Sequence, residues 1–342
     1  MRLTVSLFCV ALVLNSPLPM VYAHHSSARF DKTQEVTVEG AVTQVKWANP
    51  HVYIYIDQVT GSGQTINWEI EGAPPAGLRR MGWSRDKLQV GDQLIVSGNP
   101  SRNTSIKSIF PRNIEQGGET LFNERDAFRL ISEVDSSQQV RSDTLHGTWL
   151  TVLPLSLIPH FMETPKREAL TDVGAEAVGR FDERTMNPAI NCIRNAAPMS
   201  MIKPDVKQIE IAGNLIVIRS DFEGAERTIH LNVLTHDGAS ISNQGHSIGK
   251  WEGETLVIDT THFSANTMGN GWGLLSGTQK HLVERLTLNT NGTSIAYEFE
   301  LSDPEFLSAP ITGDVELVYR PNMVFAIEEC DLDSARRFLE NR

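Results

Sequence analysis

Short runs of alternating apolar and polar residues dominate the N-terminal third of the chain, and this period of two predicts half-buried β-strands. A brief helical pattern separates the third run from the fourth. The predicted strands cover residues 36–45, 52–56, 66–70, 94–96 and 106–114, and the predicted helix covers residues 74–81. Gly40, within the first strand, predicts a bulge. This order is that of a small Greek-key barrel of the OB type, with a meander or a sandwich as the alternative.

The alternating pattern returns after residue 145 and continues almost to the C-terminus. The predicted strands cover residues 208–211, 215–218, 227–234, 246–251, 254–260, 282–288, 294–301 and 316–327. Turn residues separate them, as at Asn291-Gly292. Seven or more antiparallel strands at this spacing predict a barrel or a curled sheet. The motif Gly-x-Trp at residues 147–149, just before these strands, resembles the start of a lipocalin sequence.

These patterns define a fold class and a domain organisation. The fold class is mainly β, with an N-terminal OB-like small β-barrel and a C-terminal antiparallel β-barrel or curled sheet that is lipocalin-like. The polar and weakly patterned residues 119–144 predict a linker. The other predicted units are the OB-like domain at 24–118, the second β-rich domain at 145–332 and a terminal helix at 333–342.

The first residues of the chain follow the pattern of a secretory signal peptide. Arg2 precedes an apolar run at 3–14, and small residues, Val21 and Ala23, occupy the −3 and −1 positions of a cleavage site after Ala23. The apolar run is too short to span a bilayer. The sequence therefore predicts a signal peptide at 1–23 and a periplasmic or secreted protein with no membrane anchor after cleavage.

Charge and cysteine content narrow the partners and the compartment. The formal net charge is −12, and no basic run offsets it, which argues against a nucleic-acid partner because phosphate backbones require clustered Lys and Arg. Removal of the signal peptide would leave two cysteines, Cys192 and Cys330. In an oxidising compartment this pair predicts a disulfide that closes a long loop, with two buried thiols as the alternative.

Residues 245–263 contain the densest polar chemistry of the chain. Two strand patterns flank a turn at Gly253, a residue suited to positive φ. The residues that could form a hydrolytic site or bind zinc are His236, His246, Ser247, Asp259, His262 and Glu284. Ser247 and His246 are adjacent, so their side chains should point to opposite faces and cannot serve as nucleophile and base. His246 with Asp259 across the hairpin is the better pair, and it could equally be a structural hydrogen bond.

A ligand surface in the second domain is the broader hypothesis. It comprises Arg227, His236, His246, Asp259, Glu284 and Arg285. The alternative is structural, because turn and strand residues commonly satisfy backbone groups, and Arg227, Glu284 and Arg285 could form cross-strand ion pairs. No catalytic residue is identified, and the balance of the sequence favours a protein without enzymatic activity.

A copper site at the mature N-terminus is a separate hypothesis. Cleavage after Ala23 would make His24 the first residue, so that its amine and imidazole could chelate one ion. His51, in the turn Asn49-Pro50-His51, is the candidate for the third nitrogen, with His25 as a competitor. Imidazole nitrogen suits Cu(II). The alternative is that His24 and His25 belong to a solvated terminus.

Several fragments of the first domain resemble the exported bacterial family called domain of unknown function 6152. They are His24-His25-Ser26, Phe30-Asp31, Trp47-Ala48-Asn49-Pro50-His51, Trp68-Glu69-Ile70-Glu71, Gly82-Trp83 and Val90-Gly91-Asp92. The second half resembles an uncharacterised β-rich domain with the signature Gly-His-Ser-x-Gly-x-Trp-Glu-Gly-Asp-Thr-Leu-Val-Val-Asp-Thr, here residues 245–260, in which Glu254 replaces the usual Asp. The resemblance implies export and β-rich domains, and it implies no activity.

The sequence is therefore most consistent with an exported two-domain β protein that binds a small ligand or a metal ion, with copper as the candidate cofactor. Two alternatives remain open. One is a periplasmic enzyme, either a hydrolase around His246 and Asp259 or a copper oxidoreductase. The other is a module that binds another protein, whose identity the sequence does not indicate.

Overall fold

The computed structural model describes residues 29–127, 140–152, 169–222 and 224–340. The predicted signal peptide, His24 and His25 lie outside these residues. The fold is mainly β and consists of two closed barrels, as the sequence predicts. Within the described ranges, no helix has the length and apolar character needed to cross a membrane.

The first barrel contains five strands and one short helix in the predicted order. They are β1 (Val36–Lys46), β2 (Tyr53–Val59), β3 (Thr65–Glu71), α1 (Pro75–Arg80), β4 (Gln93–Pro100) and β5 (Ser108–Gln116). Strands β1 to β5 pair in the order β3-β2-β1-β4-β5, and a parallel contact between β3 and β5 closes the barrel. Apolar side chains such as Ile54, Ile70 and Leu94 fill its interior.

Two predictions about this region are wrong. The bulge lies at Thr43, between the pairs Val42–Ile56 and Gln44–Tyr55, and not at Gly40. Gly40 serves a close approach instead, because a Cβ there would lie 2.6 Å from the backbone oxygen of Asp57. Residues 119–123, which we assigned to a linker, form strand β6 (Glu119–Asn123) on the free edge of β5.

The second barrel closes nine strands. They are β7 (Gly147–Val152), β8 (Val206–Ala212), β9 (Leu215–Ser220), β10 (Glu226–His230), β11 (His246–Glu252), β12 (Thr255–Thr261), β15 (His281–Leu288), β16 (Ser294–Ser302) and β17 (Ile311–Tyr319). A separate two-stranded sheet, β13 (Asn266–Gly271) with β14 (Leu274–Ser276), precedes β15. All pairings in the barrel are antiparallel except the short parallel contact between β10 and β11.

Large side chains occupy the interior of the second barrel. Trp149, Tyr297 and Leu286 are fully buried there with many aliphatic residues. The space beside Arg227 amounts to about 10 Å³, which is enough for about one water molecule. The interior of the nine-stranded barrel beside Arg227 is therefore filled by side chains.

Short helices lie between β7 and β8 of the second barrel, and one more helix ends the chain. The helices are α2 (Asp172–Arg180), α3 (Glu183–Met186), a 3-10 turn (Pro188–Asn191), α4 (Met199–Ile202) and α5 (Leu332–Glu340). The strand predicted at 316–327 ends at Tyr319, because Pro321 cannot donate to a strand ladder. The chain then crosses to the first barrel, and the predicted disulfide between Cys192 and Cys330 is confirmed.

Candidate functional site

Five histidines gather at one end of the second barrel. His230 ends β10, His246 begins β11, His262 follows β12 and His281 begins β15. Antiparallel pairing sets His246 of β11 opposite Thr261 of β12. It also sets Thr260 of β12 opposite Leu282 of β15, the residue after His281, so the ends of the three strands lie side by side. His236 comes from the loop 231–245. We call His230, His236, His246, His262, His281 and Asp259 the histidine rim.

The rim lies on the outer face of the barrel. Asp259 pairs with Ile248, and His246 is two residues before Ile248, so His246 and Asp259 share one face. Ser247 points the other way, where its hydroxyl is 2.9 Å from that of Thr260 and is buried. The structure therefore separates Ser247 from His246, and Ser247 cannot act with the rim histidines.

A chain of hydrogen bonds links Asp259, His236 and His246. Nε2 of His236 is 2.9 Å from Oδ1 of Asp259, and Nδ1 of His236 is 2.8 Å from Nδ1 of His246. An ionised carboxylate only accepts, so Nε2 of His236 carries the proton. Neutral His236 then accepts at Nδ1, and His246 donates there. The unprotonated nitrogen of His246 is Nε2, which keeps its lone pair.

His281 bonds to the second oxygen of the same carboxylate. Its Nε2 is 2.9 Å from Oδ2 of Asp259. Asp259 thus accepts from two imidazoles and fixes the tautomer of both, leaving Nδ1 of each without its proton when the rings are neutral. The sequence suggested His246 and Asp259 as a direct pair, and the structure inserts His236 between them.

The remaining rings pack closely around His246. The His230 ring stacks on it at a centroid separation of 5.2 Å, and the His262 ring lies 6.5 Å away. His262 has φ 58°, a left-handed conformation that is uncommon outside glycine, and its Nδ1 is 2.9 Å from the Thr261 hydroxyl. A non-glycine residue held in this region often marks a functional site.

The pKa of His246 is lowered from its ordinary value. Burial is the largest cause, followed by the neighbouring His236, His230 and His262, because a cluster of imidazoles disfavours another positive charge. His246 is therefore held in the neutral form that offers a lone pair. Within the part of the chain that the structure describes, no group of three or more His, Cys, Asp or Glu side chains is arranged so that it could hold a metal ion.

The other predicted ligand residues lie elsewhere. Arg227 donates two hydrogen bonds of 2.5 and 2.7 Å to Glu284, and Tyr297 donates a third of 2.7 Å to the same carboxylate. All three are buried inside the barrel, where burial beside Glu284 raises the pKa of Tyr297. Arg285 is on the outer face and pairs with Glu252 at 2.6 Å. The structure places Arg227 and Glu284 in the core, apart from the rim.

His51 occupies a polar pocket of the first barrel. Its Nδ1 is 3.0 Å from the carbonyl oxygen of Gly72, so Nδ1 donates and Nε2 keeps a lone pair. A buried oxygen of Glu71, which lacks a hydrogen-bond partner, lies 3.8 Å from the same Nδ1. The proposed partners of His51, His24 and His25, lie outside the described residues.

Two rim histidines were absent from the sequence hypothesis. His230 and His281 stand at strand termini, and only the register of four strands brings them to the same edge. The signal that could have found them is positional, because His230 lies within a predicted strand and His281 immediately precedes another. Half of the ten histidines of the chain lie in the rim, a concentration visible only in three dimensions.

Comparison with known protein families gives a match to the first domain. Residues 13–110 match a protein family described as a family of unknown function (DUF6152). The resemblance inferred from the N-terminal fragments is confirmed, and it brings no activity with it. No curated protein matches the chain. The resemblance of the second half to an uncharacterised domain stays a prediction.

Proposed function

We propose that this protein is an exported, noncatalytic binding protein whose second barrel binds a divalent transition-metal ion, such as Cu(II) or Zn(II), at the histidine rim. The observation that carries the proposal is the pair of imidazole nitrogens of His236 and His246, 2.8 Å apart and anchored by Asp259. Export is supported by the signal-peptide pattern at 1–23.

The donor set fits an ion of this class. Metal–imidazole bonds are about 2.0–2.1 Å, so two such ligands lie about 2.9 Å apart at the right angles of a tetragonal Cu(II) site and about 3.3 Å apart in a tetrahedral Zn(II) site. In place of the hydrogen bond between His236 and His246, an ion would bind both Nδ1 atoms once the two rings have turned toward it, and the proton of His246 would then be carried at its Nε2. Asp259 would remain behind His236 as the carboxylate that orients a metal-binding imidazole. The His230 and His262 rings lie 5.2 and 6.5 Å from the His246 ring, centroid to centroid, and would shield the ion from solvent.

The competing functions have less support. A hydrolase requires a nucleophile beside the base, and Ser247 faces the core. Carriage of a small molecule inside the barrel requires a cavity, and the interior beside Arg227 holds space for about one water molecule. Binding of a metal ion on the outer face of the barrel requires neither a nucleophile nor an internal cavity.

Calorimetric titration tests the proposal. Full-length processed protein titrated with Cu(II) and with Zn(II) should bind at least one ion in the rim, and His236→Ala and His246→Ala should each lower that affinity by at least about tenfold. His146→Gln, a change outside the rim, is the matched control. Equal affinity in all four proteins would refute the proposal.

Copper at the processed N-terminus is a second candidate, supported by the tautomer of His51. Donation from its Nδ1 to Gly72 leaves Nε2 available to an ion. This site predicts one further equivalent of Cu(II) that disappears in His51→Ala and after addition of one residue before His24. The rim variants should leave that equivalent unchanged, so the two sites can be scored separately in one protein.

A further inference from the structure

The last residues of the chain cross from the second barrel to the first. After Tyr319 the backbone runs to Cys330, which is bonded to Cys192, and then enters α5. Residues 328–331, Glu-Glu-Cys-Asp, lie against the first barrel and are called the acidic segment here. The surface that receives them is formed by Lys46, Trp47, Asn49, Arg79 and Arg85, and is called the notch.

Glu328 is held by three side chains of the notch. Trp47 donates its indole N–H to Oε1 at 3.1 Å, Arg79 donates to the same oxygen, and Arg85 donates to Oε2 at 2.6 Å. The Glu328 side chain is only 14% exposed. A carboxylate enclosed by two guanidinium groups and an indole N–H is strongly selected over a neutral side chain.

The backbone of the acidic segment is bound as well. Asn49 donates its N–H to the carbonyl oxygen of Glu329 at 3.1 Å and accepts from the N–H of Asp331 at 2.9 Å, which makes a parallel bridge opposite Cys330. The Asn49 side-chain amide donates to the carbonyl oxygen of Glu328 at 3.1 Å. Main-chain bonding of this kind, with pockets for particular side chains, is how extended peptides are recognised.

Charge complementarity completes the contact. Lys46 lies 2.6 Å from Asp331, so three cations of the notch face the two carboxylates of Glu328 and Asp331. Trp47 and Asn49 are buried in this contact, and each donates a side-chain hydrogen bond to Glu328. The notch is a cationic surface in a chain that is acidic overall.

We propose that the notch is a recognition site for an acidic peptide segment in extended conformation, and that residues 328–331 are its intramolecular ligand. The disulfide tethers this ligand and keeps its effective concentration high, so a segment of another molecule does not displace it. The proposal is independent of the metal-binding function, because the notch shares no residue with the rim.

The test uses full-length protein from which the ligand has been released. The released variant carries Cys192→Ser, Cys330→Ser, Glu328→Ala and Asp331→Ala. A fluorescein-labelled peptide of residues 324–334 with Cys330→Ser is titrated with it, and fluorescence anisotropy is measured. The peptide should bind the released variant at least about tenfold more tightly than it binds the native protein. Addition of Arg79→Ala to the released variant should abolish most of this binding.

A control peptide tests whether binding requires the two carboxylates. It carries Glu328→Gln and Asp331→Asn and should bind the released variant at least about tenfold more weakly. No binding to a released variant that keeps its β-rich circular dichroism spectrum would overturn the proposal. The proposal would also be overturned if the peptide bound the native protein as tightly as the released variant, or if Arg79→Ala left the affinity of the released variant for the peptide unchanged.

A second measurement covers the case in which the released variant does not fold. The Asp331 N–H donates a hydrogen bond to the carbonyl oxygen of Asn49. The rate of hydrogen exchange at this amide is compared in native protein, Glu328→Gln and Arg79→Ala. Exchange at this amide should accelerate at least about tenfold in both variants while amides of β15 are unchanged. Unaltered exchange at Asp331 would show that the side chains of the notch do not hold the segment.

Discussion

At the scale of single residues, Asp259 has the largest predicted influence on the rim. It accepts from His236 and His281 through its two oxygens, and no other described residue contacts both rings in this way. A carboxylate behind an imidazole fixes its tautomer and increases its basicity as a ligand. The rim depends on this one acceptor more than on any one of its imidazoles.

Asp259→Asn should therefore weaken Cu(II) binding by about tenfold to a hundredfold, because an amide can also donate and no longer imposes one tautomer on His236. Isothermal titration calorimetry gives the affinity. Asp237→Asn, which changes the same charge in the neighbouring loop, is the control and should have little effect. A loss of affinity of equal size in both variants would assign the effect to net charge alone.

A buried lysine makes a second prediction at this scale. Lys280 is fully buried, donates to the carbonyl oxygen of Ala197 at 3.0 Å and lies over the Phe263 ring. Desolvation lowers its pKa to about 7, and Asp303 and Glu284 partly offset the shift. The unfolded chain holds this proton up to a higher pH, so the folded state gains stability as the pH rises from about 7 toward the ordinary lysine range.

The contribution of Lys280 to the free energy of unfolding should thus increase by up to about 1.4 kcal/mol per pH unit above pH 7. Urea unfolding of native protein and Lys280→Met between pH 6 and 9 measures it. The difference between the two proteins should change with pH in that direction. A constant difference across the range would mean that Lys280 does not titrate there.

At the scale of elements, the hairpin of β11 and β12 was predictable and the rim around it was not. Period-two alternation and Gly253, which has φ 64°, located both strands and their turn from the sequence. The loop 231–245 has no period, so nothing in the sequence indicated that His236 would lie between His246 and Asp259. Long-range strand register decided which histidines meet, and periodicity alone does not encode it.

Gly245, at the start of this hairpin, tests how closely the loop is fitted. It has φ 71°, and a Cβ would lie 2.7 Å from the backbone oxygen of Thr261 and 3.0 Å from the Phe263 ring. Gly245→Ala should cost about 1–3 kcal/mol and weaken metal binding, since His246 is adjacent. Gly238→Ala, with φ 76° and open space around its Cβ, should cost less. Thermal unfolding ranks the two, and the reverse order would contradict this description.

At the scale of the whole molecule, the C-terminal segment joins the two barrels. The sequence pattern predicted both barrels and placed residues 320–331 in the second domain. Glu328 of this segment contacts Trp47 and Asn49, some 280 positions earlier, and such a distant contact leaves no local pattern in the sequence. The predicted disulfide closes a separation of 138 residues and holds this segment in place. Cross-links over long loops restrict the unfolded chain most.

Cys330→Ser should lower the free energy of unfolding by about 2–5 kcal/mol. Urea unfolding of the variant, and of native protein with and without a thiol reductant, measures the loss. Reduced native protein should match the variant. A variant as stable as oxidised native protein would mean that the notch alone secures the segment.

Electron paramagnetic resonance of the Cu(II)-loaded protein tests metal binding at the rim most directly. His51→Ala is used as the background so that the N-terminal site does not contribute. The spectrum should show superhyperfine coupling to at least two imidazole nitrogens, and His246→Ala should reduce the number of coupled nitrogens by one. A spectrum that His236→Ala and His246→Ala both leave unchanged would place the copper elsewhere and contradict the account.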